Sequence, residues 1–212
     1  MFTNISREHL DFFDTFEKYV KVNYESYPET GKEIVDKIDN INGFVSGIGT
    51  GGTLIGIAKR IKESNKNARI VALEPKQLPI LSDSASVGTH KIEGIGDDFI
   101  PSIVDMNLID RIVSIDDEDA INMSRILAKN FGLGVGISSG ANIIAAALSA
   151  DNNDNIVTIF ADDLKKYLTT DLSNEINNDN KYLKDFYIKW QQEKEKNKSQ
   201  TFDDMIRNVR EA

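Results

Sequence analysis

INGFVSGIGTGGTLIGIAKRIK, residues 41–62, decides how this chain is read. A short apolar run at Phe44 and Val45 leads into Ser46-Gly47-Ile48-Gly49-Thr50-Gly51-Gly52-Thr53, and apolar residues then recur at Leu54, Ile57, Ala58 and Ile61. That recurrence, in steps of three and four, belongs to a helix with one buried face. Strand, glycine loop and helix in this order aim backbone N–H groups and the positive end of a helix at a single anion. Glycine allows positive φ there and lets a phosphate approach without meeting a Cβ. A phosphate site at Gly49–Thr53 is therefore expected. The alternative is a strand-to-helix turn that binds nothing.

Bulk properties narrow the setting. The 212 residues suit one medium domain with or without appendages, and 40% hydrophobic with 28% charged residues is ordinary for a globular protein. A formal net charge of -9 with no long basic run argues against nucleic acid and against anionic membrane, which reward clustered Lys and Arg. The absence of cysteine excludes disulfides, thiolate nucleophiles and Cys-based metal sites, and His9 and His90 alone give little basis for a His-rich site or a His-based triad. The opening MFTNISREHL has no basic region followed by an apolar core, and no apolar run approaches membrane-spanning length, so a cytoplasmic protein is expected.

Outward from the loop, Leu10, Phe13, Phe16, Tyr19 and Val20 keep helical spacing, Tyr27-Pro28-Glu29-Thr30-Gly31 reads as a turn, and Lys32 to Asp39 as a short helix. Residues 1–40 are thus a helical N-terminal segment. After the loop helix, Ala68 to Glu74 is a continuous apolar run suited to a buried parallel strand, closed by Pro75, which completes a βαβ unit. Residues 76–110 are broken by Gly88, Gly94, Gly96 and Pro101, as in a segment that lines a site. A third strand is predicted at Arg111 to Ile115. Asp116-Asp117-Glu118-Asp119 then suits a helix start, where the dipole favours acids. A further, alanine-rich helix opens at Ser138-Ser139-Gly140-Ala141, and Ile156 to Phe160 reads as a fourth strand. The body, residues 41–172, is an α/β lobe; 173–212 form a charged tail with helical spacing at Leu183, Phe186, Tyr187 and Trp190 and again at Phe202, Met205, Ile206 and Val209.

Two phosphate ligands suit the loop. Gly47-Ile48-Gly49-Thr50-Gly51-Gly52 satisfies the dinucleotide pattern G-x-G-x-x-G, and Glu74 ends the next strand about twenty residues on, where a ribose-binding acid would sit. Thr50 and Thr53, on the other hand, add hydroxyls that suit one terminal phosphate monoester. A P-loop is disfavoured because no Lys-Ser or Lys-Thr follows the last glycine.

From about Tyr24 to Leu172 the chain resembles the C-terminal half of cysteine synthase, a β-replacement enzyme of the pyridoxal-phosphate (PLP) family with the tryptophan-synthase-β fold. The matches run in order: Glu29-Thr30-Gly31-Lys32-Glu33-Ile34, Gly47 to Thr53, Val71-Ala72-Leu73-Glu74-Pro75, His90-Lys91-Ile92-Glu93-Gly94-Ile95-Gly96, Asp98-Phe99-Ile100-Pro101, Val135 to Ala141, and Tyr167-Leu168. The resemblance implies a three-layer, mostly parallel α/β sheet, a partial fold type II PLP lobe with α-helical extensions at both ends. It implies PLP as cofactor, its phosphate held by Gly49, Thr50, Gly51, Gly52 and Thr53. Gly94 lies on the family's flexible loop near the cofactor, and Glu74 becomes structural.

Other family groups are absent. The Schiff-base lysine motif, the asparagine facing the cofactor's phenolic oxygen, and the Thr-Ser-Gly-Asn-Thr loop for the substrate carboxylate belong to the family's N-terminal half; Lys66 does not have the lysine's surroundings. The resemblance therefore implies no catalytic residue in this chain. Cofactor binding is expected without β-replacement, unless a missing half supplies the lysine. The family run Phe-Pro-Asp-Ser-Gly-Glu-Arg-Tyr-Leu, whose serine contacts the pyridine nitrogen, corresponds to Phe160-Ala161-Asp162-Asp163-Leu164-Lys165-Lys166-Tyr167-Leu168. Asp163 either faces that nitrogen, favouring its protonated form, or caps the next helix. The expected partners are an amino-acid substrate and a second chain, either a homo-oligomer such as a dimer or the complementing half. A non-catalytic interaction protein and an NAD-binding domain are the other readings.

Overall fold

A computed structural model describes residues 29–151, 154–167 and 169–173. The predicted N-terminal amphipathic helix and both tail helices lie outside these residues. Four strands, β1 (Ile41–Gly47), β2 (Arg69–Pro75), β3 (Arg111–Ile115) and β4 (Asn155–Thr158), form one parallel sheet in the order β3-β2-β1-β4. The helices are α1 (residues 29–37), α2 (Gly52–Ser64), α3 (Asp117–Phe131) and α4 (Ile137–Ser149).

The central strands are those with the longest apolar runs. Phe44 and Val45 on β1 and Ile70 to Leu73 on β2 are fully or almost fully buried, as expected of parallel strands covered on both faces. Phe44, Ile70 and Ala72 pack against Leu54, Ile57 and Ile61 of α2, which are the helical-period residues of the opening stretch. The crossover β1-α2-β2 moves across the sheet in one direction. The connection β3-α3-α4-β4 returns in the other, which by the right-handed rule puts α3 and α4 on the opposite face. Three layers result, with α4 against all four strands.

The acidic run behaves as predicted. Asp116 caps α3 by accepting from the Glu118 N–H at 3.1 Å, with Asp117, Glu118 and Asp119 in the first turn. Gly132 ends the helix at φ 70°, and Leu133 N–H returns to Leu127 O. α4 lies close on α3: a Cβ at Gly140 would sit 2.2 Å from Ala120 O and 2.8 Å from Ser124 N.

Two boundaries differ from expectation. Glu29, Thr30 and Gly31 are helical rather than in a turn, and α1 ends at residue 37. Gly31 is there for close approach, since a Cβ would stand 2.8 Å from Arg60 Cβ and 3.2 Å from Ile57 Cα. The fourth strand is Asn155–Thr158, not Ile156 to Phe160: its pairing with β1 stops at Val45↔Thr158, beyond which Ile159 O is taken by the Asn142 side chain.

Candidate functional site

The chain leaves β1 at Gly47 and enters α2 at Gly52, with Gly51 as N-cap at φ 83°. Ile55 N–H opens the helical ladder on Gly51 O at 3.0 Å, and Gly52 N–H makes a long contact of 3.4 Å to Thr50 Oγ1. Among the described residues, the N–H groups of Gly49, Thr50, Gly51, Thr53 and Leu54 find no acceptor. Five unpartnered donors at the positive end of a helix, with the half-buried Thr50 and Thr53 beside them, match the oxygens of a phosphate monoester. Gly49 to Thr53 are thus brought together as predicted, by one loop.

The glycines have a second purpose that the sequence did not disclose. Only Gly51 uses a positive φ. Gly47 and Gly49 make room for another segment: Cβ atoms would lie 2.5 Å from Ile95 Cγ2 and 2.6 Å from Gly94 O. Gly94, with φ 87°, therefore meets the loop directly, and Gly96 N–H donates to Ile48 O at 2.8 Å. His90 Nε2 holds Gly96 O at 2.8 Å, and the Lys91 N–H is fixed by Asp117 Oδ2 at 2.8 Å. Asp117 has its carboxyl above the usual range because it is buried at the start of α3.

β1 lies beside β2 on one flank and β4 on the other, with crossovers on opposite faces, so the C-terminal ends of β1 and β4 border a switch-point crevice. Asn142 of α4, which sequence reasoning missed, spans that crevice. Its Oδ1 accepts from Gly47 N–H at 2.9 Å and its Nδ2 donates to Ile159 O at 2.8 Å. A buried asparagine in an alanine-rich helix was the available signal.

Asp163 follows β4 at the same end of the sheet. Its side chain is exposed and its Oδ1 accepts from Lys165 N–H at 2.8 Å, capping the short 3₁₀ turn Leu164–Tyr167. The neighbouring Asp162 is mostly buried, receives the Tyr167 hydroxyl, and pairs with Lys166 at 3.4 Å. Burial, and then that carboxylate, push the Tyr167 hydroxyl well above its usual range, so it remains a donor.

Glu74, placed by its spacing where a ribose-binding acid would sit, is fully engaged. Buried at 3% exposure, it accepts from Leu81 N–H at 2.8 Å, Ser82 N–H at 3.2 Å, and the hydroxyls of Ser82 and Ser114. The strand order is that of a dinucleotide fold, but the acid such a fold needs is consumed by the 81–82 turn, which overturns the NAD reading. Across from Glu74, Asp97 is a half-buried carboxylate with no hydrogen bond among the described residues; sequence reasoning did not single it out. Among the described residues no group of acidic or histidine side chains is arranged to hold a metal.

Fold and loop together define a parallel α/β lobe whose described residues leave several N–H groups unpaired at a helix start beside its switch point. A family profile described as pyridoxal-phosphate dependent enzyme matches residues 12–162. Cysteine synthase B of Campylobacter jejuni is 44% identical over 146 residues, 68% of this chain and 48% of that protein. Cysteine synthase of Buchnera aphidicola is 43% identical over 166 residues, 72% of this chain and 52% of that one. Among solved structures, a hydrogen sulfide-producing enzyme from Fusobacterium nucleatum superposes with a TM-score of 0.72 at 48% identity, covering 77% of this chain and 51% of its own. O-acetyl serine sulfhydrylase isoform 3 from Entamoeba histolytica gives 0.69 at 34% identity, covering 76% and 49%. The chain belongs to the pyridoxal-phosphate dependent enzyme family, whose cofactor is PLP. Within it the sequence is cysteine-synthase-like, and it spans about half the length of the curated relatives it matches.

Proposed function

We propose that this chain is the phosphate-binding half of a cysteine-synthase-like β-replacement enzyme, acting on O-acetylserine and sulfide once a lysine-bearing half is joined to it. The observation that carries the proposal is the set of unpartnered N–H groups at Gly49, Thr50, Gly51, Thr53 and Leu54 in a chain of this family. When bound, PLP supplies an electron sink for chemistry at an amino acid. Gly49 to Thr53 hold its phosphate, and Gly94 packs its carbonyl on Gly49 to fix the loop. Asp163 keeps its capping contact and offers a carboxylate in place of the family serine. The lysine and the carboxylate-binding loop come from polypeptide outside these residues.

The partner is a complementing chain or a second copy. An incompletely covered strand supports this: β4 is one of the sheet's two edges among the described strands, β3 being the other, and Ile156 and Val157 on its two faces are only half-buried. No helix among the described residues is long and apolar enough to cross a membrane, which is compatible with the proposed cytoplasmic setting. The test has two arms. Titration of the chain with PLP should saturate at one site and be competed by inorganic phosphate, and borohydride reduction should then label no single lysine stoichiometrically. Co-expression with the N-terminal half of a cysteine synthase should restore cysteine formation from O-acetylserine and sulfide. Saturable PLP binding that phosphate leaves untouched, or full labelling of one lysine in the isolated chain, would overturn the reading.

A further inference from the structure

The cleft beside the glycine loop contains one carboxylate that the fold does not use. Ile48 and Gly49 line this cleft from the loop, Glu74 from the end of β2, and Gly96 and Asp97 from the segment stacked on the loop. Glu74 spends its oxygens on the 81–82 turn and Ser114. Asp97 spends none among the described residues, yet it is half-buried, and the Gly96 N–H bond to Ile48 O holds it beside the loop entry. The charged and titratable groups around it are Asp98, which repels its charge, His90, whose Nε2 contacts Gly96 O, and the saturated Glu74 across the cleft. Burial first, and Asp98 second, already raise its carboxyl above the usual range. Gly49 and Asp97 line the same cleft, so a phosphate dianion held at Gly49 adds a further like charge on that cleft, and a neighbouring like charge favours the neutral acid.

Resting on the reading that the glycine loop takes a phosphate monoester, we propose that Asp97 takes up a proton when that phosphate binds. Cofactor loading is then proton-linked. A neutral Asp97 removes the like-charge repulsion that the ionised form would exert on the phosphate. Linkage is reciprocal, so if phosphate raises the proton affinity of Asp97, the proton raises the phosphate affinity of the loop by the same factor. The sign follows. Between the pKa values of the free and the loaded protein, the loaded form carries the extra proton and affinity falls as pH rises, by up to about tenfold per pH unit. Phosphate ionises in an overlapping range, so the observable is the difference from a chain lacking the carboxylate.

Calorimetric titration of the 212-residue chain with PLP, and separately with inorganic phosphate, is run in two buffers of different ionisation enthalpy from mildly acidic to mildly alkaline pH. Wild type, Asp97→Asn and Asp98→Asn are compared. The expected result is a proton uptake in wild type that exceeds Asp97→Asn by up to one per ligand, and an affinity that falls with pH relative to that variant. Asp98→Asn, whose side chain is exposed, should retain the uptake. Equal proton counts and parallel pH profiles in wild type and Asp97→Asn, with both binding, would overturn the proposal. Loss of all saturable phosphate binding in wild type would instead overturn the glycine-loop reading beneath it, so the two failures are distinguishable. An NMR titration of the Asp97 carboxyl with and without phosphate needs no variant: its midpoint should rise on binding, and an unmoved midpoint refutes the linkage.

Discussion

Replacing Asn142 with leucine tests how the crevice is held open in the right shape. The substitution keeps the number and branching of heavy atoms but is bulkier, so two hydrogen bonds are lost, from Gly47 N–H to Oδ1 and from Nδ2 to Ile159 O, and any overpacking adds to that loss. Asn142 is 4% exposed, and water cannot easily replace its amide. A backbone group left buried without a partner costs about 1–3 kcal/mol, and because Gly47 and Ile159 are only half-buried the lower end applies, roughly 2 kcal/mol for the pair. Against a typical domain stability of about 5–15 kcal/mol this is a large fraction. Urea denaturation followed by circular dichroism should show the midpoint falling by about 1 M, given slopes of about 1–3 kcal/mol/M. Asn142→Asp supplies a sharper arm. A carboxylate still accepts from Gly47 but faces Ile159 O acceptor to acceptor, so this variant is destabilised at neutral pH and regains stability in acid, where the protonated oxygen can donate. A loss below about 0.5 kcal/mol in Asn142→Leu, the range of an inert surface change, would refute the clamp.

The other expectations concern the loop, the helix pair and pH. Gly51→Ala forces a side chain into φ 83° with its Cβ 2.6 Å from Val104 Cγ2, so it should lose about 1–2 kcal/mol of stability and weaken PLP binding, read by denaturation and titration. Gly140→Ala meets backbone rather than a movable side chain, at 2.2 Å from Ala120 O, and should lose about 1–3 kcal/mol or more as α3 and α4 part; wild-type stability would show that the helices are not in close contact. Asp97 has a folded pKa above its unfolded value, so the folded state binds the proton more tightly and stability falls as pH rises through that window. Asp97→Asn removes this slope, and its urea midpoint relative to wild type should therefore improve from acid towards neutral pH.

Legibility in the sequence followed the range of the interaction. The unit β1-α2-β2 could be read because its signals are local: an apolar run, glycines, and a 3.6-residue period that proved to be the buried face of α2. Strand β3 and the acidic cap of α3 were local in the same way. Gly31 misled because Pro28 and Gly31 look like turn residues, whereas its role is set by Arg60 and Ile57 of α2. For Glu74, spacing alone offered a ribose-binding acid, whereas the family resemblance made it structural, and Ser82 and Ser114 do claim it. An asparagine within an alanine-rich helix marked Asn142, but its partner Gly47, 95 residues away, could not be read from that signal. The resemblance put Gly94 on the family's flexible loop near the cofactor; its packing against Gly49 is a contact that the motif order did not disclose. Of the two readings of Asp163, the cap is the one realised in contacts; its use toward a cofactor belongs to the proposal.

The central claim is that the unpaired donors of the glycine loop bind the phosphate of PLP. Amide NMR of the labelled chain during titration with inorganic phosphate, and then with PLP, tests it most directly. The resonances of Gly49, Thr50, Gly51, Thr53 and Leu54 should shift together and saturably with both ligands, with one affinity across the loop. Shifts confined to other regions, or saturable PLP binding that leaves these five amides unmoved, would contradict it.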